Sequence, residues 1–179
     1  MKPWLFILGL MATLPAFAQH QPAHDAPAQR QPAPSGYDGM QNRAIKALSE
    51  KQIADLRAGR GMMLALPAEL NGYPGPSHTL ELAGPLGLSE GQKQKTQALF
   101  AQMQTEAMRL GDQVIASEYE LDRLFKERTG SISTVQEAAA KAARTQGELR
   151  AVHLRYHLFM LDILAPAQVT KYSELREYK

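Results

Sequence analysis

The sequence predicts an all-α fold: four main helices, the middle two forming a long antiparallel hairpin on which an N-terminal and a C-terminal helix pack. Three observations carry this. Over two long stretches, apolar residues recur at steps of three and four, the spacing of one helix face. A helix-start pattern occurs four times, in "LSEKQI" from Leu48, "LSEGQK" from Leu88, "ISTVQE" from Ile132 and "LAPAQV" from Leu164. No stretch alternates apolar and polar residues as a half-buried strand would.

The start pattern has a physical reason. In each copy an aliphatic residue precedes a small one, and a glutamine follows after two variable positions. A serine at the N-cap accepts a hydrogen bond from the N3 amide, while the N3 glutamine reaches back to the N-cap amide. In the fourth copy Ala165 takes the cap, a loss worth about 1 kcal/mol. Pro166 at the first helical position offsets part of it by presetting φ. Helices are therefore expected to start near residues 50, 90, 134 and 166.

In the first helix Ile53, Leu56, Met63, Leu66 and Leu70 share a face, interrupted by Gly59, Gly61 and Pro67. This predicts a bend near Pro67 and an end at Asn71-Gly72. "NGYPGPS" reads as a rigid connector, followed by a short helical turn over residues 77–83. The second helix carries Leu99, Met103, Ala107, Leu110, Val114, Leu121 and Leu124 along one seam. The third carries Val135, Ala139, Ala142, Gln146, Leu149, His153, Tyr156, Met160 and Ile163. "ERTGSIS" joins them tightly enough to make them antiparallel neighbours. So thin a bundle cannot bury every apolar face, so a homodimer is the expected completion.

The ends of the chain read differently. Lys2, an apolar run and Ala16-Phe17-Ala18 describe a cleaved secretory leader over residues 1–18. Its apolar run falls short of the roughly 20 residues that span a bilayer. Residues 19–44, opening "QHQPAHDAPAQRQPAPSG", are expected to be a disordered tether in which His20 and His24 are solvated. Residues 45–179 remain for the helical domain. The chain has no cysteine, hence neither a disulfide framework nor a lipid-attachment thiol. Lys and Arg number 20 against 18 Asp and Glu, a balance that argues against nucleic acid as a partner.

Catalysis finds no constellation. There is no phosphate-binding glycine loop and no nucleophile elbow. "HLRYH" has the histidine spacing of a zinc protease but Leu154 where the general-base glutamate belongs. Glu118, Glu120 and Asp122 alternate with Tyr119 and Leu121, as on the solvated face of a helix.

The histidines leave two readings open. His153 and His157 lie four apart, so both project from one side of the helix, and Met160 continues the stripe. A hairpin turning near residue 131 sets Glu106 and Met103 opposite His157 and Met160. Two imidazoles, a carboxylate and a thioether suit zinc, copper, nickel or cobalt. The same residues also suit plain packing, with His153 on the seam and Met160 in the core.

With its leader, its lack of cysteine and its helix-start boxes, the chain resembles the Spy/CpxP superfamily, whose LTxxQ motif opens two helices. The matching positions are Leu88, Ser89 and Gln92, then Leu164 and Gln168. Ser89 and Ala165 replace the motif's threonine. The likeness covers roughly residues 45–178, and "RAGRGMMLALPAELNGYPGP" is similar to members labelled heavy-metal sensors. It implies a periplasmic, cradle-shaped homodimer that binds unfolding proteins without ATP or a required cofactor, through mixed apolar and basic contacts. Met62 and Met63, with Arg144, Arg150 and Arg155 at the rim, are the candidate client-binding residues. Other members bind metal or report envelope stress to a membrane sensor or anti-sigma protein.

Overall fold

The computed structural model describes residues 36–178; the expected leader and the expected tether up to residue 35 lie outside them. A 3-10 turn at Met40–Asn42 leads into six helices: α1 (Glu50–Arg57), α2 (Leu66–Glu69), α3 (Pro76–Glu81), α4 (Glu90–Lys126), α5 (Ile132–Met160) and α6 (Pro166–Leu175). The protein is all-helical; among the described residues there is no strand, only an isolated bridge between Ile45 and Leu48. No described helix is long and apolar enough to cross a membrane.

The caps explain where the helices begin. Ser49 with Gln52 and Ser89 with Gln92 form complete capping boxes at α1 and α4. At α6, Gln168 Oε1 accepts the Ala165 amide at 2.9 Å, half of the box surviving without its hydroxyl. One boundary differs from expectation. The cap of α5 is Ser131, not Ser133, because Ser131 accepts from the Thr134 amide at 3.2 Å and Thr134 Oγ1 accepts from Ser131 at 2.9 Å. The earlier hydroxyl completes a box, so the helix starts at Ile132.

The expected bent first helix is also corrected. α1 stops at Arg57, so Ile53 and Leu56 belong to it, Leu66 opens α2, and Met63 and Leu70 lie outside both helices. Between them Met62 and Met63 both take the left-handed region, with φ 39° and 62°. For residues with a Cβ this costs on the order of 1–3 kcal/mol each, which the surrounding packing must sustain. Pro67 stands in the first turn of α2, where its missing N–H is harmless.

The two long helices pack side by side and run antiparallel, as three cross-contacts show. Lys141 Nζ reaches Glu120 at 2.7 Å, the Thr145 and Ser117 hydroxyls meet at 2.9 Å, and Tyr156 donates to Glu106 at 2.7 Å. α1 and α3 lie on α4, and α2 lies on α5. One core cluster joins Leu56, Met103, Leu110, Val114, Leu149 and Tyr156; a second joins Leu86, Leu88, Met160, Leu164 and Tyr172. Gly111 makes the first possible. A Cβ there would come within 2.3 Å of the Leu56 carbonyl oxygen, so the end of α1 can rest directly on the backbone of α4.

The two motif glutamines meet. Gln92 Nε2 donates to Gln168 Oε1 at 2.7 Å and to the Ile163 carbonyl at 2.9 Å. Each glutamine closes its own cap and grips the other, tying the start of α6 to the start of α4. Leu88 and Leu164, the aliphatic residues ahead of these caps, are both buried in the second cluster.

Candidate functional site

A cavity of about 450 Å³ opens between the α1–α2 turn, α3, α4 and α5. Met62, Met63, Phe100 and Met103 supply much of its apolar wall, and Glu69, His78, His153, His157 and Arg176 its polar part. Its centre of charge is Glu69. Glu69 is the last residue of the four-residue α2 and is buried.

Glu69 Oε1 is crowded with donors. Tyr172 Oη donates to it, Tyr178 Oη does so at 3.0 Å, and His78 Nδ1 at 3.1 Å, with Arg176 Nε 3.6 Å away. Burial pushes the Tyr172 hydroxyl far above its ordinary range, and the Glu69 carboxylate adds to the shift. A buried carboxylate is costly unless paired, and these donors come from both α3 and the C-terminal segment. Glu69 thereby fastens the C-terminus over the cavity.

Glu69 Oε2 is different: it is buried with no hydrogen-bond partner. His157 approaches it at 3.6 Å, but its Nδ1–H is committed to the Tyr73 carbonyl at 2.7 Å. Gly75 lets His157 and Glu69 approach its backbone closely. A Cβ on Gly75 would come within 3.3 Å of Glu69 Oε2 and 2.8 Å of His157 Cε1. Gly75 has φ −85° and ψ 146°, open to any residue, so space rather than backbone conformation asks for glycine here. His153 is buried, its Nε2 also without a partner. Burial, with the neighbouring His157 adding, holds its imidazole below the ordinary value of 6.5, so it sits neutral.

The expected metal set is only partly assembled. His153 and His157 share the cavity wall with Met62, Met63 and Met103. Glu106 instead accepts hydrogen bonds from Tyr156 and Arg155, and Met160 is packed in the second core cluster. Among the described residues no three His, Asp or Glu side chains stand together in a group that could hold a metal ion. Glu69, His78, Tyr172 and Tyr178 escaped the sequence argument. The available signal was a lone acidic residue in the otherwise apolar stretch 64–70, directly before the Pro- and Gly-rich connector.

A second, shallower groove lies alongside, walled by Met63, Leu66, Pro67 and Leu70 with Arg150 from α5 at its edge. Met63 and Leu66 belong to both recesses. Met63 is 77% exposed and Leu70 57%. Of the other expected basic residues, Arg155 is held by Glu106, and Arg144 projects from an exposed position of α5.

No family model, curated protein or solved structure matches this chain.

Proposed function

We propose that the protein is a periplasmic, ATP-independent chaperone or envelope-stress protein of the Spy/CpxP kind, acting as a cradle-like homodimer that holds unfolding proteins. The observation that carries this is the groove of Met63, Leu66, Pro67 and Leu70 with Arg150 at its edge. Exposed apolar side chains gathered beside a cation mark a binding surface more than scattered ones do. Methionine suits varied partners because it repacks at low cost. The left-handed Met62–Met63 pair supports the same reading, since backbone strain collects where function requires a particular presentation. The two linked capping boxes of α4 and α6 are the residues on which the family likeness rests.

Suppression of aggregation of a thermally unfolding client tests this. The mature protein is expected to suppress it at stoichiometric amounts. A Met63→Ser/Leu70→Ser variant should lose most of that effect while keeping its helical signal, because both side chains are exposed. No suppression by the unmodified protein would sink the proposal, and a strict monomer in micromolar sedimentation would remove the cradle. The metal-sensing alternative, with zinc, copper, nickel or cobalt as ligand, draws support from His153 and His157 sharing a wall with Glu69, and calorimetric titration with those ions tests it.

A further inference from the structure

Three features of the cavity bear on what it takes in. It holds a buried carboxylate oxygen, Glu69 Oε2, that no donor satisfies. It is walled by long flexible or flat apolar side chains, Met62, Met63, Met103 and Phe100. It shares Met63 and Leu66 with the surface groove, so a chain lying in the groove has the cavity mouth beside it.

The charges nearby are already matched. Arg60 Nη1 pairs with Asp55 at 2.7 Å, and Lys51 pairs with the same carboxylate at 2.5 Å. Arg176 and His78 face Oε1, on the other side of the Glu69 carboxylate. His157 directs its Nδ1–H to Tyr73, and buried His153 is neutral. What remains unanswered is an acceptor, and an anion brought against it would meet repulsion. A donor carrying positive charge on an apolar stem fits both the oxygen and the walls. A free amine and a lysine side chain share that chemistry; continuity with the groove favours the lysine.

We infer that the cavity receives a lysine side chain of the bound client, its ammonium on Glu69 Oε2 and its methylenes against Met62, Met103 and Phe100. This rests on the client-binding proposal and adds a preference to it: extended apolar segments that contain a lysine. The ammonium reaches Oε2 as the flexible Met62 and Met103 side chains shift aside, and Met63 with Leu66 hold the flanking apolar residues.

The test uses the mature protein and three labelled unstructured peptides, identical except for one central residue: lysine, norleucine or acetyl-lysine. Fluorescence anisotropy should show the lysine peptide binding about tenfold more tightly than either neutral one, the worth of one charged hydrogen bond. Glu69→Gln should remove the lysine preference and bring the three affinities together. If Glu69→Gln fails to fold, the three peptides on the unmodified protein still decide between the outcomes. Equal affinities for the three peptides in the unmodified protein would overturn the inference and leave client binding standing. Binding of none would overturn both. Stoichiometric zinc or copper binding lost in Glu69→Gln, without a lysine preference, would overturn it in favour of a metal site.

Discussion

The two ends of the long helix pair carry the same apolar spacing and meet different fates. At the base, between about residues 96–117 and 142–160, α1, α2 and α3 pack on the pair, and Met103, Leu110, Val114, Leu149 and Tyr156 are buried. At the tip, where α4 ends and α5 begins, the same three-and-four stepping yields only half-buried Leu121, Leu124 and Val135. There Phe125 is 63% exposed and Ile132 82%. Periodicity decides which face of a helix is apolar. A third layer decides whether that face is dry.

Paired truncations break the comparison most sharply. Leu149→Ala at the base should destabilise the fold by about 2–5 kcal/mol, the usual cost of a buried cavity. Ile132→Ala at the tip should stay within about 0.5 kcal/mol. Urea unfolding of the two variants measures the difference; equal losses would mean the tip is covered in solution, as dimerisation there would do.

Two helix-interior glycines sharpen it further. Gly111→Ala would push a Cβ into the Leu56 carbonyl and should cost about 1–3 kcal/mol through overpacking, outweighing the better helix propensity of alanine. Gly147 has nothing within 4 Å of an added Cβ, so Gly147→Ala should stabilise by up to about 1 kcal/mol. Thermal melts should move in opposite directions.

The smallest effect is electrostatic. His153 is kept neutral in the folded base, while the unfolded chain binds its proton near the ordinary 6.5. Its contribution is therefore complete above that value and is lost as pH falls below it. The loss is at most about 1.4 kcal/mol per pH unit. The Asp55 carboxyl, held low chiefly by its hydrogen bond to Lys51, behaves alike in a lower window, as pH falls through its ordinary 3.8. Melting temperatures between pH 7 and 5 should decline in the unmodified protein and flatten in His153→Gln; no flattening would assign the decline to other groups.

The same contrast shows what was legible in the sequence. Caps are local chemistry: a hydroxyl and an amide three residues apart announce a helix start, and α1 and α4 begin where those residues stand, while at α6 Pro166 and the glutamine alone mark it. The third box was misjudged because Ser131 and Ser133 compete, and threonine can do the work expected of Gln136. The all-helical class and the apolar faces of α4 and α5 follow from periodicity. The cavity does not, since it depends on the chain reversing through two left-handed methionines that no propensity favours. Read on a continuous helix, Glu69 falls beside the apolar stripe, toward water; only after that reversal does it point inward. Glu106 was sought as a partner for His157, but the antiparallel register sets it against Tyr156 and Arg155.

The bonds that close the cavity join distant parts of the chain: Glu69 is 103 positions from Tyr172 and 109 from Tyr178. The contacts between α4 and α5 span far shorter loops, 28 positions from Ser117 to Thr145. Loop closure favours near neighbours, so the helix pair can assemble early while the buried carboxylate waits for the last tyrosines. A chain emerging from synthesis would already carry its exposed tip and groove before its cavity exists. Local opening should retrace that order, releasing the C-terminal tyrosines while the long helices stay paired.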